Sequence, residues 1–161
     1  TGFMIGLLKK KKTAEEMSDS LNYFQDILPY DMYEKLFSLI LTDRGSEFAK
    51  PQLFEINHET GEIRGNIFYC DAQMPSQKPH VENNHEFIRT IIPKKQNMKD
   101  LTQEKIDLMF SHINSVPRKS LGGKSPYEAF EFFYGQETID LLNIQKIEKD
   151  KVTLQPYLLK I

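Results

Sequence analysis

The 161 residues carry 21 Lys and Arg against 23 Asp and Glu, a formal net charge of −2, with 39% hydrophobic and 27% charged positions. That balance fits one ordinary globular domain with a real core and argues against a free-standing nucleic-acid binder, which carries a basic excess. A single cysteine, Cys70, excludes a disulfide framework within the chain and fits a reducing cytoplasm, and no apolar run approaches the roughly 18 residues of a membrane span.

In chain order, residues 1–8 alternate Phe3, Ile5 and Leu7 against Met4 and Gly6, which predicts a strand already in progress. Thr13 with Glu16 three residues on is a capping box, opening a helix to about 27 that Leu28-Pro29 ends. Residues 31–35 predict a helical turn. Residues 37–41 are an apolar run, the mark of a strand buried on both faces, stopped at Thr42-Asp43 before Gly45. Residues 57–65 are polar loop, 67–70 a short strand, and 71–79 a loop with two prolines. A helix follows over 80–92, ended by Pro93. Thr102 caps the next, whose core face is Ile106, Met109, Phe110 and Ile113. Ser125-Pro126-Tyr127-Glu128 is a second capping box, for a helix to about 134, and 151–161 is weakly strand-like. The order predicts an α/β sheet with helices added at the C-terminus.

The stretch SQKPHVENNHEFIR carries the first candidate chemistry. On a helix from His80, Val81, Ile88 and Ile92 form one stripe. Glu82, His85, Glu86 and Arg89 form a neighbouring polar stripe. Asp43 ends a strand, where open α/β sheets gather functional groups. If the helix packs against that sheet, the two carboxylates converge, and a divalent ion is the usual way to hold them together. Each also has a bland reading: Asp43 as a turn residue before Gly45, Glu82 as a first-turn acid favoured by the helix dipole. Asp71, also after a strand, is a rival acid. Structural zinc finds no support: no CxxC exists, and His80 and His85 lie five apart. Cys70 in an apolar strand reads as inert packing. Lysine and arginine cluster at 9–12, at Lys94 with Lys95, and at Arg118, Lys119 and Lys124. Each cluster reads either as a local positive face or as ordinary solvated surface.

Together these pieces resemble a family. LTDRGSEF is similar to the second acidic motif of DDE transposases and retroviral-type integrases, and SQKPHVENNHEFIRTIIPKK to the third, which carries its Glu on a helix. With FYCD before it and IDLMFSHINSVPRKSLGGKSPYEAF after it, the order resembles bacterial transposases of the insertion-sequence-thirty group. The gap from Asp43 to Glu82 is a few residues longer than that group's usual gap, and Ser76 and Pro79 replace its common aromatic and glycine.

The resemblance implies an α/β, ribonuclease-H-like integrase core with additional C-terminal helices. Residues 1–116 would be a partial catalytic core, and 117–161 a helical extension packed on it. Asp43 would be the second catalytic and metal-holding acid and Glu82 the third. The first acid would precede the segment that opens this chain, which makes the chain N-terminally truncated and inactive alone. The implied activity is metal-dependent DNA cleavage and strand transfer with two Mg²⁺ (or Mn²⁺) ions in the complete site. DNA, both transposon ends and target, would be the partner, in a homo-oligomer and away from membranes. Lys78, His85, Arg89, Arg118, Lys119 and Lys124 would contact phosphates, which position rather than specify. The rivals are a non-catalytic DNA-binding or oligomerisation remnant and a metal-dependent nuclease of the same fold.

Overall fold

The structure, a computed structural model, describes residues 1–70, 79–95 and 97–160, and for 79–84 the backbone alone. The chain divides into two compact units, Lys9–Gln77 and Thr1–Leu8 with Lys78–Ile161. Among the described residues no helix is long and apolar enough to cross a membrane.

In the unit Lys9–Gln77, helix α1 spans Ala14–Ile27. Its cap is the predicted Thr13, whose side chain accepts from the Glu16 amide at 3.2 Å. The extended Leu28 before Pro29 stops it, since a residue preceding proline is pushed out of the helical region. Helix α2, Tyr30–Phe37, is longer than the predicted turn. Strand β1 is Leu39–Thr42, and β2, Asn66–Tyr69, pairs parallel to it with Leu39 opposite Asn66 and Thr42 opposite Tyr69. A parallel pair needs a crossover. Here the crossover is a 3₁₀ turn at Ser46–Phe48, the short α3 at Gln52–Glu55, and a turn closed by the Ile56–Ile63 bridge. Leu21, Phe54 and Ile67 form the buried centre, with Met17, Phe37 and Ile40 packed around it.

Two strand expectations need correction here. The apolar run at 37–41 is not one strand, because Phe37 closes α2 and stacks on Phe24 and Tyr33. Nor is β1 buried on both faces: Leu39 and Leu41 are 64% and 48% exposed. A two-stranded sheet with one packed face leaves alternate residues outward, whatever their polarity.

In the other unit, α4 is Pro79–Ile91, α5 Gln103–Asn114, α6 Pro126–Tyr134 and α7 Gln136–Leu141. The Thr102 cap holds, and the predicted face Ile106, Met109, Phe110 and Ile113 is buried. The second capping box is reciprocal: the Glu128 amide donates to Ser125 Oγ at 3.2 Å, and the Ser125 amide to Glu128 Oε2 at 2.8 Å. Ile91, Phe130, Ile139 and Leu159 complete the core.

The opening segment is not a strand. Residues 1–8 form no regular element, and two side-chain amides hold them instead of a ladder. Asn114 accepts from the Met4 amide at 2.8 Å and donates to its carbonyl at 2.6 Å. Gln103 accepts from the Leu8 amide at 2.9 Å and donates to the Gly6 carbonyl at 2.8 Å. Phe3 stacks on Phe130 at 4.2 Å. Gly6 lies so close to Phe110 that a Cβ would fall 2.1 Å from its ring. Burial does not alternate along it: residues 3–7 are all half-buried, and Gly6, off the predicted apolar stripe, packs on Phe110.

The C-terminal tail likewise forms turns and a 3₁₀ turn at Pro156–Leu158 rather than a strand. Side chains of α5 and of its C-cap Ser115 pin the segment that leads into it. The Gln145 amide donates to Ser111 Oγ at 2.9 Å, the Ile147 amide to Ser115 Oγ at 3.0 Å, and the Thr153 amide to His112 Nδ1 at 3.1 Å. Accepting at Nδ1, the neutral His112 ring carries its proton on Nε2.

Burial holds the His112 pKa below its ordinary 6.5. The unfolded chain takes this proton near 6.5 and the folded chain resists it, so the unfolded state binds more protons in that window. Stability falls as pH drops below about 6.5 and is insensitive to this group above it. Urea midpoints measured from about pH 7.5 to pH 5 should show that fall, with the component due to position 112 absent in His112→Gln.

Candidate functional site

Asp43 follows the last residue of β1, beyond the C-terminal end of a parallel strand. Its side chain is exposed, and Oδ1 accepts from the Gly45 amide at 3.0 Å. This Asx turn fixes the carboxylate relative to the strand end. The chain then enters the 3₁₀ turn, with the Phe48 amide donating to the Gly45 carbonyl at 2.9 Å. That turn brings up a second acid. A Cβ at Gly45 would lie 2.6 Å from Glu47 Oε2 and 3.0 Å from Asp43 Oδ1, so both carboxylates crowd one point beside the Gly45 backbone. Only glycine leaves that point empty.

Glu47 is the residue that sequence reasoning missed. Its side chain is 14% exposed, and Oε1 is paired with Lys12 Nζ at 3.1 Å. Oε2 is buried with no hydrogen-bond partner. Its own backbone amide and the Lys12 ammonium hold its pKa below the usual carboxylate value, while the Asp43 charge pushes the other way. The signal was present in the D-x-G-x-E spacing, where glycine between two acids marks a point they share.

Glu82 lies in α4, but its side chain falls outside the described residues, as do Lys78 and Asp71. His85 and Arg89, one turn apart on α4, are exposed. Arg118 is partly withdrawn: its guanidinium sits 4.1 Å above the Phe87 ring of α4 and donates to the Ile113 carbonyl at 3.4 Å. Burial lowers its pKa. Lys119 and Lys124 are exposed on a tight loop in which the Arg118 amide donates to the Lys124 carbonyl at 2.9 Å. Gly122 and Gly123 turn that loop at φ 63° and 85°, conformations that other residues rarely adopt. Cys70 is buried and free, as expected of packing. Among the described residues no group of three or more His, Cys, Asp or Glu is placed to hold a metal.

Curated proteins similar to this chain are transposases of insertion sequences, and the chain is related to that family. One relative is the transposase InsI for insertion sequence element IS30A of Escherichia coli (strain K12), 37% identical over 89 residues, which are 55% of this chain and 22% of the relative. The transposase for insertion sequence element IS4351 of Bacteroides fragilis is 30% identical over 106 residues, 66% of this chain and 31% of its own length. The transposase for insertion sequence element IS1086 of Cupriavidus metallidurans is 31% identical over 86 residues, 53% of this chain and 24% of its own length. The chain thus spans between about a fifth and a third of these relatives. No family model and no solved structure matches it.

Proposed function

We propose that this chain is part of the catalytic core of a DNA transposase, a polynucleotidyl transferase that cuts DNA strands and joins them to new sites. Asp43 and Glu82 serve as two of its metal-holding acids, within a ribonuclease-H-like arrangement that works as a homo-oligomer on transposon ends and target DNA. The observation that carries the reading is Asp43 beyond a parallel strand, locked by its turn, in a chain related to insertion-sequence transposases.

The residues fit a hard divalent ion. Carboxylate oxygens are the donors that Mg²⁺ and Mn²⁺ prefer, and the orphaned Glu47 Oε2 is a buried oxygen in want of a cation. Asp43 and Glu82 would hold the ion, with Glu47 supporting from behind. Such an ion supplies activation of the attacking oxygen and charge relief at the leaving oxygen. The chain's own part is placement. The Asx turn keeps the Asp43 carboxylate from swinging away. Lys12 neutralises half of Glu47, so two acids can share one point without repelling each other out of it. His85, Arg89, Lys119 and Lys124 offer exposed donors for backbone phosphates, and Lys78 joins them in the proposed set. Arg118 contributes by bracing its loop against Phe87.

Phosphate contacts make binding salt-dependent. With a short DNA duplex and this chain, Lys119→Ala and Lys124→Ala should each weaken binding across sequences and reduce the slope of log affinity against log salt by roughly 1. An unchanged slope would remove the loop from the interface. Binding that is strong without metal, in an intact protein that neither cuts nor joins DNA, would favour the non-catalytic remnant instead. Cutting of DNA without joining of a pre-cut end would favour a nuclease.

A further inference from the structure

Within Lys9–Gln77, away from Asp43, a cavity of about 150 Å³ opens between α2 and the turn before β2. Its lining includes Gln25, Tyr33, Glu34, Ser38, Glu62 and Arg64. Two of these side chains are incompletely satisfied. Tyr33 is 2% exposed, and its hydroxyl is buried with no hydrogen-bond partner. Arg64 is 8% exposed. Its Nε donates to the Phe54 carbonyl at 3.1 Å, Nη1 to Asn22 Oδ1 at 2.5 Å and to Gln25 Oε1 at 2.8 Å, and Nη2 to the Leu53 carbonyl. A guanidinium has five N–H donors, so one remains. All four acceptors are neutral, and none of the ion pairs among the described residues includes Arg64.

A buried guanidinium whose hydrogen-bond acceptors are all neutral, with Asp19 acting on it only through space, and a buried hydroxyl without a partner are each costly. Side chains lining one cavity, they call for the same thing, a small acceptor that brings negative charge. Burial lowers the Arg64 pKa, against the opposing charge of Asp19, and raises that of Tyr33. The cavity also limits what can enter. Glu34 and Glu62 in its wall oppose a dianion, and 150 Å³ admits only a few heavy atoms beyond the anionic group. Phosphate would set its second charge against those carboxylates. A carboxylate carries one charge and two acceptor oxygens, matching one O–H and one N–H.

We propose that this cavity binds a small carboxylate-bearing molecule, one oxygen taking the Tyr33 hydroxyl and the other the remaining Arg64 N–H. The site is independent of the transposase reading, because none of its residues belongs to the proposed acids or the phosphate contacts.

The test uses the chain itself, with acetate as the probe. ¹⁵N spectra would follow the Arg64 Nε–H resonance as sodium acetate replaces sodium chloride at constant ionic strength. A saturable, acetate-specific shift is expected. Tyr33→Phe removes one hydrogen bond to a charged group and should weaken acetate binding about tenfold. Without ligand the same variant should be as thermally stable as the parent or more so, since an unsatisfied buried hydroxyl is gone. That stability keeps the comparison on folded protein. No acetate-specific shift, or equal affinity in Tyr33→Phe, would overturn the site. Phosphate binding tighter than acetate would overturn the carboxylate class.

Discussion

Asp43→Ala in the intact protein is expected to lower DNA cleavage and strand transfer by at least about 1,000-fold, roughly 4 kcal/mol of transition-state stabilisation. The fold should not suffer. Asp43 is exposed, lies outside the strand and makes one turn bond, to the Gly45 amide. A variant that melts with the parent but no longer joins DNA isolates the chemistry from the packing. Asp43→Asn sharpens the result, because the amide oxygen still accepts from Gly45 while the charge is gone; it should be nearly as inactive as the alanine variant. Glu82→Ala should match both. Glu47→Gln should cost less, about 10- to 100-fold in activity or metal affinity, as for a residue that supports a ligand from behind. Strand transfer retained by Asp43→Ala would remove this acid from the site.

Asn114→Ala should have the largest effect on folding, about 2–4 kcal/mol. Asn114 is fully buried and satisfies both backbone groups of Met4 with one side chain. Alanine leaves a donor and an acceptor without partners and unfastens residues 1–8 from α5. Denaturant midpoints would give the magnitude. Hydrogen exchange at Met4 would show where it falls, since that amide should lose protection before the core of α5 does. A midpoint within about 0.5 kcal/mol of the parent would mean that the Phe3–Phe130 stack, not the amide, holds the segment.

What the sequence disclosed was governed by how local the physics is. Caps are local: Thr13, Thr102 and Ser125 each satisfy amides within three residues, and all three start helices where expected. The buried face of α5 was legible because four apolar residues at helical spacing leave little choice. Strands were harder. Phe37 to Leu41 is apolar but for Ser38, yet the helix keeps Phe37 for an aromatic stack, and Leu39 and Leu41 face outward. Residues 1–8 alternate like a strand but hydrogen-bond to side chains some hundred positions away, which no local pattern records. At the candidate site, Asp43 was readable from its place after an apolar run. Glu47 was not singled out, because its part depends on the 3₁₀ turn that folds it back on Gly45. Of Arg118, Lys119 and Lys124, charge alone did not separate one from another; the structure sets Arg118 over the Phe87 ring and leaves the two lysines exposed.

The two amides that fasten the opening segment make its attachment depend on side chains that donate and accept at once. An aspartate at position 114 would replace a donor by a charged acceptor facing the Met4 carbonyl, and a glutamate at 103 would face the Gly6 carbonyl. Either change turns an attraction into a repulsion, so Asn114→Asp and Gln103→Glu should each lift residues 1–8 from α5 while the rest of the helix keeps its core.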